Sequence, residues 1–213
     1  MKKNWNIKAT SIVEAMIVML IIVTWIIWMY TILDKSNDLT VTVKNKIQAI
    51  QIARQGIEAF SNIRDTNWLL FSSDYLNCWN VFNYNTLCIW DSTTTYDIKT
   101  NNYKIYLDND DRWNLEVATG ITPNDYSNSI YRAFYKVWLN NWIYTQTGIT
   151  EEITPFYTRE IDISYLQADW ITLWNETSPK IKVSSIVNWS DSTSTQPHRI
   201  VIDQILSNWK SQK

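Results

Sequence analysis

The sequence predicts an α+β fold: a long N-terminal helix, half membrane-embedded and half amphipathic, packed on a C-terminal antiparallel β-sheet. Three observations predict it. Residues 15–33 form an apolar run without a charged side chain, and residues 38–63 keep a helical apolar period. From residue 103 onward, short alternating segments rich in β-branched and aromatic residues are separated by turn signals. One helix followed by a run of strands reads as a helix covered by a sheet.

The apolar run comes first. At 1.5 Å per residue its 19 residues reach about 28 Å, enough to cross the hydrocarbon core of a bilayer. Lys2, Lys3 and Lys8 precede it, whereas Asp34, Lys35 and Asp38 follow it. The positive-inside bias then puts the N-terminus in the cytoplasm and everything after Leu33 outside, a single-pass topology. A cleaved signal peptide is the rival reading. Its apolar core is usually shorter and ends in a small-residue cleavage site, which this run lacks.

The second half of the helix is read from Val43, Ile47, Ile50, Ile57 and Phe60, which recur at intervals of three, four or their sum. Lys44, Lys46, Gln48, Gln51, Arg54, Gln55 and Glu58 lie between them as a polar face. The apolar stripe needs a cover. The β-branched stretch LTVTV at 39–43 marks a place where the join could bend, and the period ends beyond Arg64.

An exterior domain is then expected over 64–213. Strands are expected at residues 103–107, 115–118, 130–137, 158–165, 181–188 and 199–205, with QILSNWK turning helical at the end. IDISY and IKVSSIV alternate as half-buried antiparallel strands do. The stretch 68–102 reads as irregular and polar, and it holds Cys78 and Cys88. An oxidising exterior permits a bond between them, worth about 3 kcal/mol in the chain-entropy model, and two free buried thiols are the alternative.

Composition bounds the rest. A net charge of −2 gives no global electrostatic case for nucleic acid. The chain has 3 Gly and 13 Trp, where ordinary usage of about 7% Gly would give roughly 15 glycines. Trp113, Trp142 and Trp170 follow polar turn-formers, where positive φ is often needed. Trp25 and Trp28 sit in the apolar span, where small residues would allow close helix packing. Some bacteria read UGA as glycine, so several of these Trp letters are suspected glycine codons. A Trp-rich surface for stacking ligands is the alternative.

One short stretch carries more. KATSIVEAMIVMLIIV, residues 8–23, places a single carboxylate at the head of the apolar run. It resembles the N-terminus of type IV prepilins and pseudopilins. The resemblance implies a leader of residues 1–9, cut between Ala9 and Thr10 by a prepilin peptidase, with N-methylation of Thr10. It implies a pilin-type helix over 10–63. Glu14 would be the glutamate that pairs with the N-terminal amine of a neighbouring subunit. Ala9 stands where glycine is usual and Thr10 where an aromatic is often found. RQGIEAFSNIRDTNWLLF, FYTREIDISYL and KIKVSSIVNW also look like minor pilin or pseudopilin segments.

The function implied is a structural subunit, of the minor kind, of a type IV pilus or a type II secretion-like pseudopilus. It would be held in the membrane before assembly and in a cell-surface filament after it. Its partners would be other pilin subunits, the prepilin peptidase, the inner-membrane assembly platform and membrane lipid. The alternative is an unprocessed, membrane-anchored exterior binding domain.

Other constellations support no enzyme, cofactor or metal. His198 is the single histidine, in no nucleophile-elbow context. Two Cys and one His make zinc a poor prospect. Asp108, Asp110 and Asp111 could offer oxygens to calcium, but the EF-hand spacing and its Gly are absent, and a solvated hairpin turn reads better. Glu151–Glu152 has no partner acid for glycosidase chemistry. Lys44, Lys46 and Arg54 read as a solvated helix face before a DNA-binding stripe.

Overall fold

A computed structural model describes residues 12–90, 93, 95–147, 151–166, 173–174, 180–190 and 196–208. The chain divides into two compact units, Met1–Lys44 and Asn45–Lys213. Helix α1 (Ile12–Leu70) contributes to both. The fold is the expected α+β, and the second unit holds the sheet.

The main sheet has the order β2-β1-β6-β8-β9, with β7 pairing off β6. Its members are β1 (Asn101–Leu107), β2 (Trp113–Val117), β6 (Tyr157–Leu166), β7 (Leu173–Trp174), β8 (Lys180–Trp189) and β9 (His198–Ser207). Every pairing is antiparallel. A smaller sheet, β4-β3-β5, comprises β3 (Trp138–Asn140), β4 (Ile143–Thr145) and β5 (Glu151–Glu152). The period of two sorts β6 cleanly. Tyr157, Arg159, Ile161, Ile163 and Tyr165 fall on one face and Thr158, Glu160, Asp162 and Ser164 on the other.

The first face receives α1. Ile57, Phe60, Ile63 and Trp68 join Tyr103, Ile105, Leu115, Ile161, Ile163, Ile181, Val183 and Leu206 in one core cluster. Ala49, Ile52 and Ala53 pack with Val137, Ile153, Tyr157, Val187 and Trp189 in a second. A fully buried Ile or Val contributes about 1.5–3 kcal/mol, so these two clusters dominate the stability of the unit.

The stripe that meets the sheet matches the expected one at Ile57 and Phe60 and departs from it at Val43 and Ile47. Val43 and Ile47 are exposed, while Asn45, Ala49, Ile52, Ala53, Gly56, Phe60, Ile63 and Asn67 are buried. Most of these recur at three and four, so the helical period holds, and its phase departs from the expected one only toward the start of the stretch. Small residues decide that phase, because they let the helix approach the strands closely. The helix also runs on to Leu70, beyond the expected end near Arg64.

Two segments expected otherwise need correction. Residues 130–137 were expected as a strand, but most of them lie in helix α3 (Ser129–Tyr135). The Asn128 side chain accepts a hydrogen bond from the Ile130 amide, which caps the helix start. Tyr131 and Tyr135 stand four apart, pack with ring centroids 4.7 Å apart in a tilted arrangement and are fully buried. The stretch from Gln204 to Ser207 continues β9 and does not turn helical. Between α1 and β1 the chain is irregular as expected, with helix α2 (Tyr75–Cys78) and two short 3-10 turns.

Candidate functional site

The first unit presents a helix segment with no buried side chain from Ile12 to Tyr30, and α1 is long and apolar enough to cross a membrane. Ile17, Ile21, Ile22, Val23, Ile26 and Ile27 are each about half exposed or more. Two threonine hydroxyls here are satisfied within the helix. Thr24 Oγ1 donates to the Ile21 carbonyl at 2.7 Å and Thr31 Oγ1 to the Trp28 carbonyl at 2.8 Å. A polar group closed on its own backbone adds little cost in lipid. Glu14 lies in the first turn of this helix, exposed. A charged side chain at the centre of a membrane helix costs about 2.5–3.5 kcal/mol, and a cationic partner would relieve whatever part of that cost falls on Glu14 near the helix start. Ala9 and Thr10 lie outside the described residues.

In the second unit, Gly56 lies where α1 approaches the sheet closely. A Cβ there would stand 2.7 Å from Ser185 Oγ and 3.0 Å from both Arg159 Cδ and Ile161 Cδ1. Arg159 is fully buried beside it. Its guanidinium donates to three backbone carbonyls, Ile52 in α1 at 3.4 Å, Ile105 in β1 at 3.2 Å and Tyr144 in β4 at 3.1 Å. Burial pulls its pKa down to about 9, which leaves it a cation at neutral pH. One side chain thus ties the helix to both sheets. Gln55 adds a second tie by accepting the Tyr144 amide at 2.8 Å.

Glu160, next in sequence, faces the opposite side and is also fully buried. It accepts from the Tyr131 hydroxyl at 2.6 Å, the Asn124 amide at 3.0 Å and Asn102 Nδ2 at 2.5 Å. Burial raises its pKa, and those three hydrogen bonds offset part of the rise. The carboxylate therefore holds α3 and the segment before it against the back of β6. The Arg159–Glu160 pair is the feature that the sequence reading missed. Its signal was there: two opposite charges adjacent in a strand that otherwise alternates, which sends one to each face.

Cys78 and Cys88 sit at disulfide distance, with sulfurs 2.01 Å apart, and are buried with Phe71 and Val81. Asp108 accepts from the Asp110 and Arg112 amides and from Asn114 Nδ2, so it closes its own β1–β2 turn. Among the described residues no group of three His, Cys, Asp or Glu could hold a metal ion. His198 stacks on Trp189 at 5.2 Å. Glu152 pairs with Lys136. Lys44, Lys46 and Arg54 are exposed on α1.

No family model, no curated protein and no solved structure matches this chain. The geometry and the sequence therefore carry the functional argument. Arg159 and Glu160 are turned toward backbone and side-chain partners of the fold. Among the described residues, the apolar helix segment headed by Glu14 is exposed along its length.

Proposed function

We propose that the protein is a structural, minor subunit of a type IV pilus or type II secretion-like pseudopilus, held in the membrane before assembly. The observation that carries this reading is one helix with two unlike halves. Its first half is apolar, uncovered and headed by Glu14, and its second half is the core helix of an antiparallel α+β unit. A tether alone explains the apolar half but not the carboxylate. A subunit interface explains both, since a charge that pairs only in one axial stagger selects that stagger.

In this reading the leader is removed between Ala9 and Thr10, Thr10 is methylated, and Glu14 pairs with the amine of a neighbouring subunit. N-terminal mass spectrometry on membrane-extracted protein tests it. Thr10 should be first, carrying a methyl group. An intact Met1 in cells with an active prepilin peptidase would favour the second reading, an unprocessed exterior binding domain. The apolar run at 15–33 suits either.

A further inference from the structure

Asn140 in β3 pairs with Ile143 in β4, so Asn141 and Trp142 alone reverse the chain between them. Their φ angles are 47° and 68°. Two positive φ values in a two-residue hairpin define the type I′ turn, whose twist matches that of the flanking strands and whose preferred sequence is Asn-Gly. Asn141 suits the first position. The second holds an indole that is 90% exposed, so packing does not account for a bulky side chain in the left-handed region.

Trp90 repeats the pattern, with φ 62° and 81% exposure. Its backbone amide donates to Asp74 Oδ2 at 2.6 Å, a bond glycine would make as well. Among the described residues the other positive-φ positions are Asn83, Asp111, Asn124 and Asn141, which tolerate that region, Gly120, and Tyr84. Tyr84 is anchored through its hydroxyl, which donates to the Trp113 carbonyl at 2.7 Å.

Other tryptophans behave oppositely. Trp68, Trp79 and Trp189 are 5%, 6% and 3% exposed, and each belongs to a core cluster. Arg64 lies over the Trp68 ring at 4.6 Å, and Trp189 packs between Tyr157 and His198. Trp113 lies in β2 and packs against the larger core, while the positive φ of that turn falls on Asp111. Among these tryptophans the letter W thus covers two physical classes: side chains that fill or pack on the core, and turn positions that call for no side chain.

We propose that positions 90 and 142 are glycine in the protein its own cells make, encoded by UGA and supplied by a glycine-charged tRNA that reads that codon. Trp68, Trp79, Trp113 and Trp189 are tryptophan encoded by UGG. The open cleft of about 290 Å³ lined by Leu139, Asn140, Asn141, Trp142 and Glu151 then loses its aromatic wall. It is a hairpin tip and not a stacking site for sugars or bases. This holds under either reading of function.

Two measurements decide it. The first is the gene read against peptide masses from protein purified from its native cells. UGA at 90 and 142 with glycine masses is expected, beside UGG at the four core positions. UGG at either 90 or 142, or a tryptophan mass there, overturns the proposal. The second compares the full chain carrying tryptophan at all these positions with its Trp142→Gly and Trp68→Gly variants in detergent. Trp142→Gly should raise the thermal midpoint, and Trp68→Gly should lower it sharply. A midpoint unchanged or lowered by Trp142→Gly would also overturn it.

Discussion

Arg159 and Glu160 show how much one dipeptide can organise when a strand sends its members to opposite faces. Arg159→Met keeps most of the aliphatic volume but leaves the carbonyls of Ile52, Ile105 and Tyr144 without their shared donor. A buried acceptor left unpaired costs about 1–3 kcal/mol, so the variant should lose several kcal/mol in urea unfolding of the detergent-solubilised chain. Stability equal to wild type would mean that those bonds contribute nothing. Glu160→Gln should behave differently. Its amide oxygen can still accept from Tyr131 and Asn124, and Asn102 can turn its own oxygen toward the new NH2 group. Burial raises the folded-state pKa of Glu160, so between the unfolded and folded values the folded state holds more protons. Stability from this group is present at mildly acidic pH and is lost as pH rises through the folded pKa. The variant should therefore gain on wild type at pH 7 relative to pH 5. Asp162, also raised by burial, keeps part of that slope in both proteins. An identical difference between the two proteins at both pH values would contradict this. The pair itself was visible as letters in FYTREIDISYL; that both charges are buried was not. Burial of Arg159 depends on carbonyls from α1 and β4, which are remote in sequence.

At the scale of elements, the helix–sheet contact turns on Gly56. Gly56→Ala would improve helix propensity by about 1 kcal/mol in isolation. The added Cβ, however, would meet Ser185 Oγ at 2.7 Å and crowd Arg159 Cδ and Ile161 Cδ1. Ser185 is fully buried and Arg159 is pinned by three carbonyls, so neither yields freely. Overpacking of this kind costs about 1–3 kcal/mol, and the net sign should be destabilising. A variant at 57, Ile57→Val, provides a scale, since deletion of one methyl costs about 0.5–1.5 kcal/mol. Thermal midpoints of the three proteins give the order directly, with Gly56→Ala lowest or level with Ile57→Val. The same contact explains which elements the sequence revealed. The long strands β6, β8 and β9 alternate strongly and were legible within one or two residues. The helix was legible as a helix and its buried face in part, at Ile57 and Phe60; Ala49, Ala53 and Gly56 were not, because they carry little hydrophobic signal and matter for being small. Helix α3 was missed because Tyr and Phe suit strands by propensity, while its cap at Asn128 and its Tyr131–Tyr135 spacing speak for a helix. Local rules were in conflict there, and burial under β6 decided between them.

Across the whole molecule the two halves of α1 differ in exposure. From Asn45 onward one face of the helix is buried against strands. Residues from Ile12 to Tyr30 are all exposed. That contrast was plain in the sequence, since an uncharged run of 19 residues is a local property. What covers the run is not a local property, and Glu14 is the place to ask. On the filament reading, Glu14→Ala should leave the exterior unit folded, because every buried residue of α1 lies at Asn45 or beyond. Leader removal should continue, since Ala9 and Thr10 are unchanged. Entry into filaments should fall sharply, because the incoming subunit would lose the charge pair that sets its stagger. Glu14→Gln should restore only part of it, keeping a hydrogen bond without the charge. A simple tether makes the opposite forecast: removing a carboxylate from lipid should be neutral or should favour insertion. The readout is the amount of tagged protein in the fraction sheared from the cell surface, for wild type and both variants, beside total membrane protein. A graded loss in the sheared fraction at constant membrane level is the filament signature. Equal sheared amounts in all three would show that Glu14 does not set register, and with it the subunit reading would lose its main support.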